Sequence, residues 1–171
     1  MRELILGGVK SGKSRYAEQR AGNTGLPVTY IATAVAGDEE MRRRIAEHRR
    51  RRPPDWETVE AGPALADVLV ARAAPRRCLL VDCLTLWLAG LIEEPLRLQR
   101  ERDALLAALP TLPGRIVMVS NEVGLGVIPL GETNRRFVDE AGRLHQALAA
   151  DCERVVFTVA GLPSVLKEIS E

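Results

Sequence analysis

The chain has 171 residues, the size of one ordinary domain of about 100–200 residues, so a single domain over residues 1–171 is expected. At that length it buries roughly 68–70% of its unfolded surface and needs neither metal nor disulfide to fold. Hydrophobic content of 46% with 27% charged residues excludes a disordered chain. With 24 basic and 23 acidic residues the formal charge is +1, too small for a protein that coats nucleic acid non-specifically.

Short apolar runs alternate with longer amphipathic segments along the chain, and no repeat or Gly/Ser linker interrupts them. Residues 4–6 form the first run, followed by a Gly/Lys/Ser loop at 7–14 and a helical stretch over 13–20. With a polar loop within the first ten residues, no cleaved secretory signal is expected. Residues 28–33, rich in β-branched side chains, are the second run. A helix over 38–51 follows, acidic at its start and arginine-rich at its end as the helix dipole favours, and Pro53-Pro54 stops it. A short strand is expected at 56–59 and a helix at 64–74.

The third run, 78–81, ends on Asp82 and belongs to a 15-residue apolar stretch, 78–92; a membrane span needs about 20, so none is expected. Helices are expected at 85–92 and 95–109, the latter with Pro95 in its first turn. Residues 115–120 are the fourth run, 134–150 a helix with Phe137, Ala141, Leu144 and Leu148 at helical spacing, and 154–159 the fifth run. A last strand is expected at 164–169. Strands alternating with helices of this length predict an α/β fold, a mostly parallel sheet with helices on both faces. The three cysteines, Cys78, Cys83 and Cys152, are odd in number and lack a CxxC spacing, so they read as reduced thiols of a cytoplasmic protein.

Gly7-Gly8-Val9-Lys10-Ser11-Gly12-Lys13-Ser14 matches G-x-x-x-x-G-K-[ST] in full, and it follows an apolar strand and opens a helix, the context that motif requires. Its backbone N–H groups curl around an anion with the helix N-terminus behind them. Lys13 reaches for β- and γ-phosphates, and the Ser14 hydroxyl is a Mg²⁺ ligand. Such a loop calls for a carboxylate at the end of a neighbouring strand, which Asp82 supplies. The competing reading of Asp82 is a cap for the helix that starts near Thr85.

Seven arginines crowd into residues 42–52 of a chain that is otherwise nearly neutral. A solvated helix face and a nucleic-acid patch are two readings, the second weakened by the lack of interleaved aromatics. The third is a phosphate-handling site, for which the planar guanidinium is suited. Met41, Ile45 and His48 fall at i, i+4 and i+7, placing His48 on the apolar side of that helix. Surrounding cations keep an imidazole neutral and nucleophilic. His145, the other histidine, is expected to be partly buried and structural.

In order along the chain, the phosphate loop with Arg15, Tyr30-Ile31-Ala32-Thr33, His48-Arg49-x-x-Arg52-Pro53 with Trp56, and Leu80-Val81-Asp82-Cys83-Leu84-Thr85 form a distinctive set. Ser120-Asn121-Glu122-Val123-Gly124-x-Gly126 and Arg136-Phe137-x-Asp139-x-x-Gly142 complete it. Together they resemble the bifunctional adenosylcobinamide kinase / adenosylcobinamide-phosphate guanylyltransferases. The resemblance implies a P-loop NTPase fold of the RecA-like kind, assembled as a homo-oligomer. It implies two reactions: phosphorylation of adenosylcobinamide from ATP or GTP, and transfer of GMP from GTP through a guanylylated histidine to adenosylcobinamide phosphate.

By the same resemblance His48 is the guanylylated residue. Ala32, Thr33, Ala34, Arg49, Arg50, Arg51, Arg52, Glu60 and Asp82 then become nucleotide-site candidates beside Gly7 to Ser14. His145 stands where the family usually carries Asn, a departure expected to touch only a local helix contact. Two rivals remain: a P-loop small-molecule kinase with no covalent intermediate, and a nucleic-acid-linked NTPase using the arginine run.

Overall fold

The computed structural model describes residues 1–34 and 39–169, and of helix 39–51 it leaves out the side chains of Glu40, Met41, Arg44, Ile45, His48 and Arg51. Its elements follow the expected alternation: β1 (Arg2–Gly7), α1 (Lys13–Gly22), β2 (Val28–Ala32), α2 (Glu39–Arg51), β3 (Glu57–Glu60), α3 (Leu65–Arg72) and β4 (Cys78–Asp82). Then come α4 (Leu84–Ala89), α5 (Pro95–Ala108), β5 (Arg115–Asn121), α6 (Glu132–Asp151), β6 (Arg154–Val159) and β7 (Leu162–Glu168). The expected start of α2 at Asp38 lies outside the described residues.

The strands form one seven-stranded sheet in the order β3-β2-β4-β5-β1-β6-β7, parallel except for β7, which runs antiparallel to β6. Both faces of the central strands are covered, which is why they read as continuous apolar runs instead of alternating ones. Successive side chains point to opposite faces. Leu4 and Leu6 of β1, with Leu79, Val81, Ile116 and Met118, therefore meet leucines of α3, α4, α5 and α6 on one side. Ile5, Leu80, Val117, Val119 and Val156 meet α1 on the other, where Ala17 and Ala21 are small enough for close approach.

Most boundaries fall within two residues of expectation, and two of the differences have a physical reason. The helix read over 85–92 ends at Ala89, and the chain turns through Leu91 N–H to the Leu88 carbonyl (3.0 Å) and Glu94 N–H to the Leu91 carbonyl (2.9 Å). Leu91 and Ile92 stay buried inside that turn, so the apolar pattern outlasts the helix. The last strand begins at Leu162 rather than at Ser164, directly after a two-residue hairpin turn in which Ala160 and Gly161 both have positive φ, 51° and 81°.

Candidate active site

The phosphate loop leaves the C-terminal end of β1 and enters α1 through Gly12, whose φ of 94° is the left-handed conformation that suits glycine. The loop is built tightly. A Cβ on Gly7 would stand 2.5 Å from Ser11 Oγ and 2.6 Å from the Thr158 carbonyl oxygen. Gly161 N–H donates to the Ser11 carbonyl at 2.8 Å, so the β6–β7 turn supports the loop from behind. Ser11 Oγ is buried without a hydrogen-bond partner. Gly8, Val9 and Lys10 form the outer rim, with Val9 exposed.

Lys13 is buried at the start of α1, and its ammonium donates to the Gly8 carbonyl at 3.1 Å. Burial lowers its pKa, while Cys83 and Asp82 act in the opposite direction. Asp82 ends β4, but β4 does not pair with β1: β5 lies between them. The expected neighbouring strand is thus two sheet steps away, roughly 10 Å.

Asp82 does not cap α4. The N-cap position belongs to Cys83 and makes no side-chain cap bond. Asp82 instead accepts a hydrogen bond from the Tyr30 hydroxyl, Oη to Oδ2 3.0 Å. Burial and the adjoining carboxylate raise the Tyr30 pKa, keeping the phenol a donor. The register explains the meeting: Ala32 pairs with Asp82 and Tyr30 with Leu80, so the tyrosine reaches Asp82 diagonally on one face.

The remaining candidates gather at the ends of β2 and β3. Thr33 Oγ1 donates to the Cys83 carbonyl at 2.6 Å, and Ala61 N–H to the Ala32 carbonyl at 2.8 Å, which ties the end of β2 to the segments that follow β4 and β3. From α2, Arg49 lies 3.9 Å from Glu60 Oε1, and just after the helix Arg52 stacks its guanidinium 3.4 Å above the Tyr30 ring. Arg50 is exposed. The Arg51 and His48 side chains, and with them the expected inward face of Met41, Ile45 and His48, lie outside the described residues. The His48 backbone belongs to α2, one helical turn before Arg52.

His145 is more deeply involved than a local helix contact. It is 6% exposed, and its Nε2 hydrogen-bonds Ser120 Oγ at 2.7 Å. Ser120 Oγ lies 3.1 Å from Thr85 Oγ1, which accepts from Asn121 N–H at 2.6 Å. His145 Nδ1 is 3.7 Å from Glu122 Oε2. The histidine thus joins α6 to the Ser120–Glu122 block beside the phosphate loop, where Glu122 N–H donates to the Gly7 carbonyl at 3.0 Å.

Burial lowers the His145 pKa below its ordinary 6.5, and Glu122 opposes that only in part. As pH falls, the unfolded chain therefore takes up this proton first, so the contribution to stability is complete above about 6.5 and is lost below it. Urea unfolding at pH 7 and pH 5 should show a smaller acid loss for His145→Asn than for the parent. Parallel losses would remove His145 as the titrating group.

A solved structure from Pyrococcus horikoshii OT3 superposes with a TM-score of 0.55 over 99% of this chain and 87% of its own, at 12% identity, a likeness of fold alone. The bifunctional adenosylcobalamin biosynthesis protein CobP of Pseudomonas aeruginosa is 65% identical over 169 residues, 98% of each chain. CobU of Escherichia coli K12, which carries the same description, is 36% identical over 96% of this chain and 98% of its own. The cobinamide kinase / cobinamide phosphate guanyltransferase profile matches residues 3–166. With that match along almost the whole length, and an α/β P-loop sheet beneath it, the chain belongs to the cobinamide kinase / cobinamide phosphate guanyltransferase family.

Proposed function

We propose that this protein is the bifunctional enzyme of adenosylcobalamin biosynthesis that phosphorylates adenosylcobinamide from ATP or GTP and then guanylylates the product through His48. The observation that carries the reading is the pairing of a complete, tightly buttressed phosphate loop with a helix that bears His48 among arginines. In the first reaction Lys13 and the loop amides of Gly7 to Ser14 hold the nucleotide phosphates while the substrate hydroxyl attacks the γ-phosphorus; the bond to the β–γ bridging oxygen breaks, the nucleoside diphosphate leaves and the hydroxyl proton passes to solvent. That chemistry asks mainly for positioning and charge neutralisation.

In the second, a nitrogen of the neutral His48 imidazole attacks the α-phosphorus of GTP. The bond from α-phosphorus to the bridging oxygen breaks and pyrophosphate leaves, with Arg49, Arg50, Arg51 and Arg52 as its counter-charges. An oxygen of adenosylcobinamide phosphate then attacks the same phosphorus. The P–N bond breaks, giving adenosylcobinamide-GDP and the free histidine. Ala32, Thr33 and Ala34 at the end of β2, with Glu60, border the nucleotide.

Mg²⁺ is the cofactor that this site would take. The Ser14 hydroxyl and the Asp82 carboxylate are hard oxygen donors, and a small divalent cation needs only one or two such groups beside nucleotide phosphates. Among the described residues no three His, Cys, Asp or Glu side chains form a protein-only cage. When bound, the ion would neutralise charge on the β- and γ-phosphates.

Asp82→Asn keeps an acceptor for the Tyr30 hydroxyl but removes the charge. Both turnovers should fall by at least the roughly tenfold cost of disturbing even an outer partner of a metal, with partial recovery at raised Mg²⁺. Unchanged steady-state rates would remove Asp82 from the metal site.

A homo-oligomer in the cytoplasm belongs to the same proposal. Among the described residues no helix is long and apolar enough to cross a membrane. Leu125, Val127, Ile128 and Leu130 after β5, and Leu162 and Leu166 on β7, are exposed apolar surface that further copies of the chain would cover. Sedimentation equilibrium tests it, and a monomer at micromolar concentration would reject it. The whole reading is tested by incubating the protein with GTP labelled at the α-phosphate. Protein-bound label supports the covalent route, and its absence favours a simple P-loop kinase.

A further inference from the structure

Tyr30 is a buried aromatic on β2, one strand in from the β3 edge of the sheet, 3% exposed and part of the apolar cluster on the α1 face that includes Leu80 and Val119. Its two ends touch groups with different assignments. The hydroxyl donates to Asp82 Oδ2 at 3.0 Å, and the ring carries the Arg52 guanidinium at 3.4 Å. Arg52 directly follows the last residue of α2 and is also held by Nη1 to Thr58 Oγ1 of β3, 3.3 Å. Arg52 Nε is buried without a hydrogen-bond partner, so the ring face is what that side of the cation meets. Just beyond, Trp56 N–H donates to the Pro53 carbonyl at 3.2 Å, and Trp56 packs against the same cluster as Tyr30.

We propose that Tyr30 is a positioning residue that couples the two half-sites, linking the C-terminal end of the His48 helix to the Asp82 carboxylate through one rigid side chain. The inference rests on the reading of His48 as the guanylylated residue. The apolar cluster and the Asp82 bond hold the ring while Arg52 covers one of its faces, so a shift of the helix end moves Arg52 over the ring and changes what Asp82 feels. The phenol orients the carboxylate and the ring face orients the helix. Two substitutions separate those roles: Tyr30→Phe keeps the ring and loses the hydroxyl, and Tyr30→Leu loses both.

Three readouts test the coupling: Mn²⁺ binding followed by electron paramagnetic resonance with a non-hydrolysable GTP analogue, protein labelling from α-labelled GTP at saturating Mg²⁺, and hydrogen exchange of peptides from residues 39–52. Tyr30→Phe should weaken Mn²⁺ by about tenfold, the usual cost of losing an outer partner, with helix exchange as in the parent. Tyr30→Leu should in addition slow labelling by about 5- to 30-fold, the worth of a partly buried cation–π contact, and speed helix exchange.

Should Tyr30→Leu fail to fold, Arg52→Met breaks the same stack from the surface and should speed helix exchange equally. Parent-like Mn²⁺ binding in Tyr30→Phe overturns the inference, as does parent-like helix exchange in Arg52→Met or Tyr30→Leu. If the parent protein itself takes up no label, the His48 reading fails and takes the inference with it. A labelled parent leaves the variants to decide the coupling alone.

Discussion

Lys13→Ala should cut both phosphorylation of adenosylcobinamide and guanylyl transfer by about 10²–10³ while leaving the protein folded. The two effects differ in size because they arise in different places. In catalysis the ammonium meets charge that develops on the nucleotide's phosphates, and losing such a donor typically costs about 2.7–4 kcal/mol. In the folded protein its bond is to the Gly8 carbonyl at 3.1 Å, and burial already disfavours the charged form. One such bond contributes about 0.5–1.5 kcal/mol, a shift of only a few degrees in thermal midpoint for a chain of this size. Steady-state kinetics of both reactions beside a melting curve test it. Near-parent turnover in either reaction would take Lys13 out of the site, and collapse of the fold would make the lysine structural.

The phosphate loop is legible because its spelling and its setting are independent signals that agree. Val28–Ala32, Cys78–Asp82 and Arg115–Asn121 are legible for another reason: strands buried on both faces leave unbroken apolar runs between polar punctuation. The early end of α4 is hidden because Leu91 and Ile92 remain buried in the turn that follows, so hydrophobicity does not mark the stop. The β7 start is hidden because the two-residue turn carries Ala160, at a positive φ of 51°, where the usual hairpin signal has Asn, Asp or Gly before the glycine.

The Tyr30–Asp82 bond has no local signal. It depends on β2 and β4 becoming neighbours in one register, and residues 52 apart in sequence meet only after that pairing. The position of β5 between β1 and β4 is likewise a matter of strand order, which alternation of strands and helices leaves open. His145 was legible as buried, but its attachment to Ser120 and Glu122 needed the packing of α6 onto β5.

His48→Ala should abolish protein labelling from α-labelled GTP and leave phosphorylation of adenosylcobinamide measurable. The asymmetry follows from the division of labour in the proposed site. Phosphoryl transfer takes the substrate hydroxyl as nucleophile and draws on Lys13, Ser14 and Asp82, so it needs no protein nucleophile. Guanylyl transfer is split into two displacements at one phosphorus, and without the imidazole the first has no attacking atom. The linkage itself gives a second check. A His–GMP adduct is a phosphoramidate, and protonating its nitrogen turns the imidazole into a good leaving group. The label should therefore be lost in mild acid and persist in alkali, the reverse of a serine or threonine phosphoester. His145→Asn should label like the parent, because that ring is buried and bonded to Ser120 at 2.7 Å. Label retained in His48→Ala, or lost only in His145→Asn, would show that the covalent step belongs to another residue, and acid-stable label would show that it is not a histidine.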